Sequence, residues 1–180
     1  MKRVLLIIFF VICTNNYLFG QPKDIDGWNK TRWGMTENEV LEALEGKATT
    51  IGEPKKYKNG YSPIVLKEIQ INDHKYTANF VFDNNNKKLV MVIIEFDNTP
   101  FEVNFTTLEQ MLVGKYGAPS FKNDNVMPPR GGSRLPDKAL TRSWNFPSTI
   151  IELNYVDLKI FKPTLQIIYK KNIKETRDNL

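Results

Sequence analysis

Between Lys88 and Asp97 the chain is apolar in both phases of a two-residue repeat: Leu89, Met91 and Ile93 in one, Val90, Val92, Ile94 and Phe96 in the other. Successive side chains of an extended strand point to opposite faces, so this run needs cover on both. The spacing predicts a central strand with a helix on at least one side. Just upstream, Lys75 to Asp83 alternates strictly. Tyr76, Ala78, Phe80 and Phe82 take one face, and Thr77, Asn79 and Val81 the other. That pattern predicts a half-buried strand. Asn84-Asn85-Asn86 is the polar turn between the two.

Other strands are expected near Ile64–Ile71, Leu140–Phe146, Ile150–Tyr155 and Leu165–Tyr169. In the first of these, Val65, Ile69 and Ile71 are expected on one face. Asn59-Gly60 is a strong hairpin signal, because both residues tolerate the left-handed backbone of a tight turn. Pro147-Ser148 turns a later pair. Residues 120–139 show no periodicity and hold Pro128-Pro129 and Gly131-Gly132. They are expected to form a long loop, either functional or simply loose.

Two stretches carry helix-start signals. Thr36 is followed three residues later by Glu39, the capping-box spacing, and Val40, Leu41 and Leu44 then form one apolar stripe. Gly46 is a natural stop. This predicts a helix over about 37–45, with Trp33 or Met35 stapled against its first turn. Thr106 and Glu109 repeat the spacing, with Leu108, Met111, Leu112 and Tyr116 on one face and Gly117 as the stop. A second helix is expected over about 107–116. Each helix precedes a Gly-x-Pro, Gly52-Glu53-Pro54 and Gly117-Ala118-Pro119, and then β-like runs. The pattern predicts an α+β fold of two tandem helix-then-β-meander units. The first would cover residues 21–98 and the second 99–170, together forming one compact domain. The sheet would be antiparallel with helices packed on one face. Residues 171–180 are charged and expected to fray.

The first 20 residues are expected to form no part of that domain. Lys2 and Arg3 precede an unbroken apolar run from Val4 to Ile12, followed by a more polar stretch to Gly20. This is the layout of a secretory signal peptide, and cleavage is expected near Gly20–Gln21. Cys13 follows Ile12 rather than a small residue, so a lipid anchor there is not expected. With Cys13 removed the product has no thiol for disulfides or catalysis. A periplasmic or secreted location follows, with no transmembrane span in the mature form. The formal charge is +5, and loss of Lys2 and Arg3 leaves +3. The cations are scattered among acids such as Glu68, Glu95 and Glu152, not gathered into a stripe, so nucleic acid is not an expected partner.

Chemistry-bearing residues are few. His74 is the one histidine and sits beside Asp73 in an ordinary turn sequence. No metal site or cofactor is expected, and no catalytic residue is assigned. The chain has no phosphate loop and no Gly-x-Ser-x-Gly elbow. Glu95 and Glu152 stand out as acids within apolar runs. Either they mark a site, or they reach the rim or open face of the sheet, which is the simpler reading. Arg142 and Trp144 share a strand face and could stack on a ligand, although core packing is the default for Trp144. Gly131-Gly132-Ser133-Arg134 could cradle an anion as a backbone nest, but no helix pattern follows it, so a flexible loop is the expected reading. The binding candidates are thus Arg142, Trp144, Tyr155, Tyr169, Glu95 and Glu152.

The run Trp33-Gly34-Met35-Thr36-x-x-Glu39-Val40, with Gly52 and Pro54, and then Thr106, Glu109, Gly117 and Pro119, resembles a diffuse group of small bacterial envelope proteins. That group includes the small lipoprotein of the outer-membrane barrel-assembly machinery and the secreted beta-lactamase inhibitor protein. The resemblance implies a helical segment followed by an antiparallel sheet. It also implies a non-enzymatic binding or assembly module that holds a protein or envelope component on its sheet face. The alternative is a secreted hydrolase or small-ligand carrier that uses the strand carboxylates Glu95 and Glu152.

Overall fold

In a computed structural model that describes residues 24–128 and 136–173, the chain opens with a small two-stranded ribbon, β1 (Gly27–Trp28) and β2 (Thr31–Arg32). Helix α1 (Glu37–Ala43) follows, then strands β3 (Thr49–Tyr57), β4 (Gly60–Ile71), β5 (His74–Asp83) and β6 (Leu89–Phe96). Helix α2 (Glu102–Tyr116) leads to β7 (Phe121–Met127), β8 (Asp137–Asn145), β9 (Thr149–Asp157) and β10 (Thr164–Lys171). The signal-peptide reading, Cys13, the cleavage position, the Gly131–Arg134 cradle and most of the charged tail lie outside the described residues. No helix among the described residues is long and apolar enough to cross a membrane.

The strands form one antiparallel sheet of eight, in the order β3-β4-β5-β6-β10-β9-β8-β7. This overturns the expectation of an α+β fold of two tandem helix-then-meander units. Strands make up 53% of the described structure, against two short helices. The sheet also runs unbroken across the expected division at residue 98, because β10 lies against β6 from Met91↔Lys170 to Glu95↔Gln166. The cause is plain. Alternation reports that a segment is extended and which face is apolar, but not which strand will pair with it.

One sheet face carries the core. Tyr76, Ala78, Phe80 and Phe82 of β5 point inward as their alternation requires. Val92 and Ile94 of β6, Leu165, Ile167 and Tyr169 of β10, and Ile151, Leu153 and Tyr155 of β9 continue the layer. Val40 and Leu44 from α1 and Phe105, Leu108 and Leu112 from α2 close over it. Burial of each such side chain contributes roughly 1.5–3 kcal/mol, which outweighs the ~1 kcal/mol cost of Gly114 inside α2. The apolar run that opens β6 lies fourth of eight, flanked by β5 and β10.

The α1 start forms as its spacing requires. Thr36 Oγ1 accepts from the Glu39 amide at 3.4 Å, and Glu39 Oε2 accepts from the Thr36 amide at 2.6 Å. These bonds hold the exposed Glu39 carboxyl below its ordinary pKa, the backbone bond foremost. The second start differs from expectation. α2 begins five residues earlier, at Glu102, where Asn104 Oδ1 accepts from the Phe101 amide at 2.8 Å. Thr106 is therefore inside the helix, its hydroxyl bonded back to the Glu102 carbonyl at 3.3 Å. α2 ends at Gly117, at φ 81°, whereas α1 is capped by Leu44 and the chain turns away through Glu45 and Gly46, at φ 53° and 72°.

Two further expectations are corrected. The aperiodic stretch 120–139 contains β7 and the start of β8. β7 is an edge strand whose side chains are almost all exposed, so it has no apolar alternation to read. Val65, Ile69 and Ile71 do not share one face. β4 has a register shift between Leu66 and Ile69, and Glu68 there adopts φ 57°. A bulge of one extra residue reverses the facing of everything beyond it.

Candidate binding face

Once β5 turns its aromatic positions into the core, Thr77, Asn79 and Val81 must point the other way. Register carries this second face across the sheet. One row runs Thr77, Glu95, Gln166, Asn154, Thr141. The next runs Asn79, Ile93, Ile168, Glu152, Ser143, and a third Val81, Met91, Lys170, Ile150, Asn145. Polar and apolar side chains are interleaved, and all of the first row is half-buried.

Glu95 is the node of this face. Its Oε2 accepts from Lys55 Nζ and from Asn79 Nδ2, each at 3.0 Å, and its Oε1 from Gln166 Nε2 at 3.2 Å. In a flat sheet β3 would lie about 14 Å from β6, three steps of ~4.8 Å. That is far beyond the reach of a lysine side chain. The β3–β4 edge therefore curls over the face. The cause is local. Six residues of β3, Thr50 to Lys55, stand against only three of β4, Ile64 to Ser62, and β4 carries two register shifts against β5. Extra residues on one strand bend and twist a sheet. Beneath the curl Asn79 is 0% exposed, Val81 1% and Val65 3%. Asn79 Oδ1 is buried without a hydrogen-bond partner among the described residues. Tyr57 hangs over the same place, its hydroxyl pKa pushed up by burial and then by the Glu95 charge. Further along the face, Glu152 Oε1 accepts from Lys170 Nζ at 2.7 Å.

The structure thus brings Glu95 and Glu152 onto the open face and places the other four candidates beneath the helices. Even-numbered positions of β8 face α2. Trp144 is 2% exposed and donates from Nε1 to the Gly117 carbonyl at 2.8 Å, tying β8 to the end of α2. Arg142 lies under α2, with Nε 2.7 Å from Glu109 Oε1 and Nη1 2.5 Å from Asp124 Oδ1. Its guanidinium sits 5.1 Å from the centre of the Phe105 ring. Burial works against the Glu109 carboxylate, but bonds from Arg142 and Lys122 outweigh it and hold that pKa low. Tyr155 is a core residue whose hydroxyl donates to Asp157 Oδ2 at 3.2 Å, and burial and then Asp157 push it up to about 12. Tyr169 is buried with its hydroxyl 3.2 Å from that of Tyr116, and burial raises it further. The expected stacking of a ligand by Arg142 and Trp144 has no open surface to use, because the side chains are spent on α2.

Asn79, Lys55, Gln166 and Tyr57 are the residues that sequence reading missed. Asn79 had a signal, as an amide inside an alternating apolar strand. Lys55 had none, since its place depends on the curl. On the opposite side, a groove of about 900 Å³ opens between β1, β2 and the end of α2, lined by Trp28, Lys30, Arg32, Lys115, Tyr116 and Tyr169. His74 Nε2 lies 3.1 Å from Asn104 Nδ2 and its ring packs on Phe96, 5.2 Å between centres. No group of three or more histidine, cysteine or carboxylate side chains is placed to hold a metal among the described residues. No family model, curated protein or solved structure matches the chain.

Proposed function

We propose that the protein is a non-enzymatic binding or assembly module that holds a partner protein or envelope component on the open, curled face of its sheet. The observation that carries this reading is the Lys55–Glu95 contact across β4 and β5, which turns one edge of the face into a raised wall. The face beyond the wall mixes apolar Met91, Ile150 and Ile168 with Glu152, Lys170, Asn154 and Gln166. That blend of apolar area and fixed polar groups is the composition of a protein-recognition surface. The apolar leader at residues 4–12 supports placing the activity outside the cytoplasm, in the periplasm or secreted medium.

The test is capture from an envelope extract with immobilised wild-type protein, Ile168→Lys, and the control Val113→Lys on the exposed side of α2. A partner retained by wild type and control but lost by Ile168→Lys supports the proposal. Repeated recovery of nothing, or of the same material by all three, rejects it. Hydrolysis or ligand carriage through Glu95 and Glu152 gains less support. Two strand steps and one register step separate them, about 12 Å by strand spacing. At the backbone that is wider than the roughly 5–9.5 Å between the carboxyl groups themselves in glycoside hydrolysis, and no contact joins the two side chains among the described residues. Each carboxylate is also already neutralised by its own lysine.

A further inference from the structure

The two edges of the sheet are built differently. At β3 the ladder is broken between Thr50 and Lys55, and the gap holds Gly52 and Pro54, followed by Lys55 and Lys56. Proline, bulges and edge lysines are the devices that stop a sheet from adding another strand. β7 is the opposite edge. Its seven residues, Phe121 to Met127, pair with β8 from Ser143 to Asp137 without a register shift, and the segment contains no proline and no glycine. From Phe121 to Val126, alternate backbone groups of this strand point outward, where no other described strand pairs with them. Phe121 is 53% exposed and Val126 57%.

We propose that β7 is a self-association edge, at which a second copy of this chain adds its own β7 antiparallel and in one register. Two-fold symmetry requires like faces to meet, so the two residue numbers of each facing pair must sum to a constant even number. Asn123 on the axis sets Lys122 opposite Asp124 of the second copy, and does so twice. Asp124 on the axis would face carboxylate with carboxylate, and Lys122 on the axis ammonium with ammonium. Opposite charges across a strand pair are favourable and like charges unfavourable, so charge selects the first register. Both side chains are available, since Lys122 and Asp124 are each 57% exposed. Their existing bonds, Lys122 to Glu109 at 3.2 Å and Asp124 to Arg142 at 2.5 Å, leave donors and lone pairs to spare. The joined sheet would run continuously through both copies, with the helices of both on one side and both open faces on the other.

The experiment is sedimentation equilibrium of the purified protein, with circular dichroism to confirm folding of every variant. The wild type is expected to dimerise. Lys122→Glu and Asp124→Lys should each weaken self-association by roughly tenfold, since each places two like-charge contacts in the seam. Mixing the two variants should restore the dimer, because each supplies the charge the other has lost. A second measurement needs no charge change. In a Cys13→Ser background, Asn123→Cys on the axis should form an intermolecular disulfide under mild oxidation, and Asn125→Cys should not. A wild type that stays monomeric at its solubility limit overturns the proposal. So does a dimer that neither charge variant weakens, or that cross-links through position 125 instead of 123.

Discussion

Lys55 Nζ and Glu95 Oε2 stand 3.0 Å apart although β4 and β5 lie between their strands. The ion pair alone is worth little, because both side chains are substantially exposed, 49% and 32%. Lys55→Ala is expected to cost only about 0.2–1 kcal/mol. Glu95→Ala is different, since it strands the buried Asn79 Nδ2 without its acceptor. That loss should cost about 1–3 kcal/mol, and Glu95→Gln, which keeps an acceptor oxygen, should cost less. Urea denaturation of the three variants measures this order, and equal costs for Lys55→Ala and Glu95→Ala would show that Asn79 does not depend on Glu95.

The two threonines that share one sequence spacing should respond differently. Thr36→Ala removes a cap and should lower stability by about 1 kcal/mol. Thr106→Ala removes only a bond back to the Glu102 carbonyl within α2. It should be close to neutral, because such a bond adds little inside a helix. Thermal unfolding of the pair is sufficient to decide the matter.

Arg142 is a clamp between α2 and the β7–β8 edge. Arg142→Met leaves Glu109, 18% exposed, without its main partner and should cost about 3 kcal/mol. The pH dependence should change as well. The folded pKa of Glu109 lies below its ordinary value of 4.5. Its contribution is therefore present above that value and is lost as pH falls through the lowered folded value. In Arg142→Met this acid-side loss should shrink, because burial then acts against the charged form. Unfolding free energies followed from about pH 5 down to pH 3 report the slope. An unchanged slope would falsify the clamp.

Buried tyrosines set the alkaline limit. Tyr76 and Tyr155 are pushed up to about 12 from an ordinary 10, mainly by burial. Groups with a raised folded pKa give stability that is complete below the unfolded value and is lost as pH rises through the folded one. Stability should therefore fall above about pH 10, and tyrosinate absorbance from these residues should appear together with loss of the fold. A smooth tyrosinate titration well before the loss of secondary structure would count against their burial.

What the sequence made legible was whatever depends on neighbours along the chain. The inward set of β5, the two-faced run of β6 and the Thr36–Glu39 cap all follow from spacing alone. The tandem-unit architecture went wrong because the β6–β10 pairing joins residues more than 70 apart, and no local pattern encodes that choice. β7 escaped notice since an exposed edge strand needs no apolar phase. Of the site, Glu95 was visible as an acid in an apolar strand. Lys55 became its partner only through bulges in β3 and β4, which rearrange the facing of residues without altering their periodicity. Trp144 and Arg142 were visible as large side chains, and α2, not a ligand, covers them.

β10 enters the sheet at its middle, between β6 and β9, although it is the last strand in the described chain. The apolar strand β6 therefore keeps one naked edge throughout synthesis, until β10 closes it. Such late closure makes folding slow and leaves the nascent chain open to aggregation. A chain cut before Thr164 would not be a slightly smaller version of this protein, but two half-sheets with sticky inner margins.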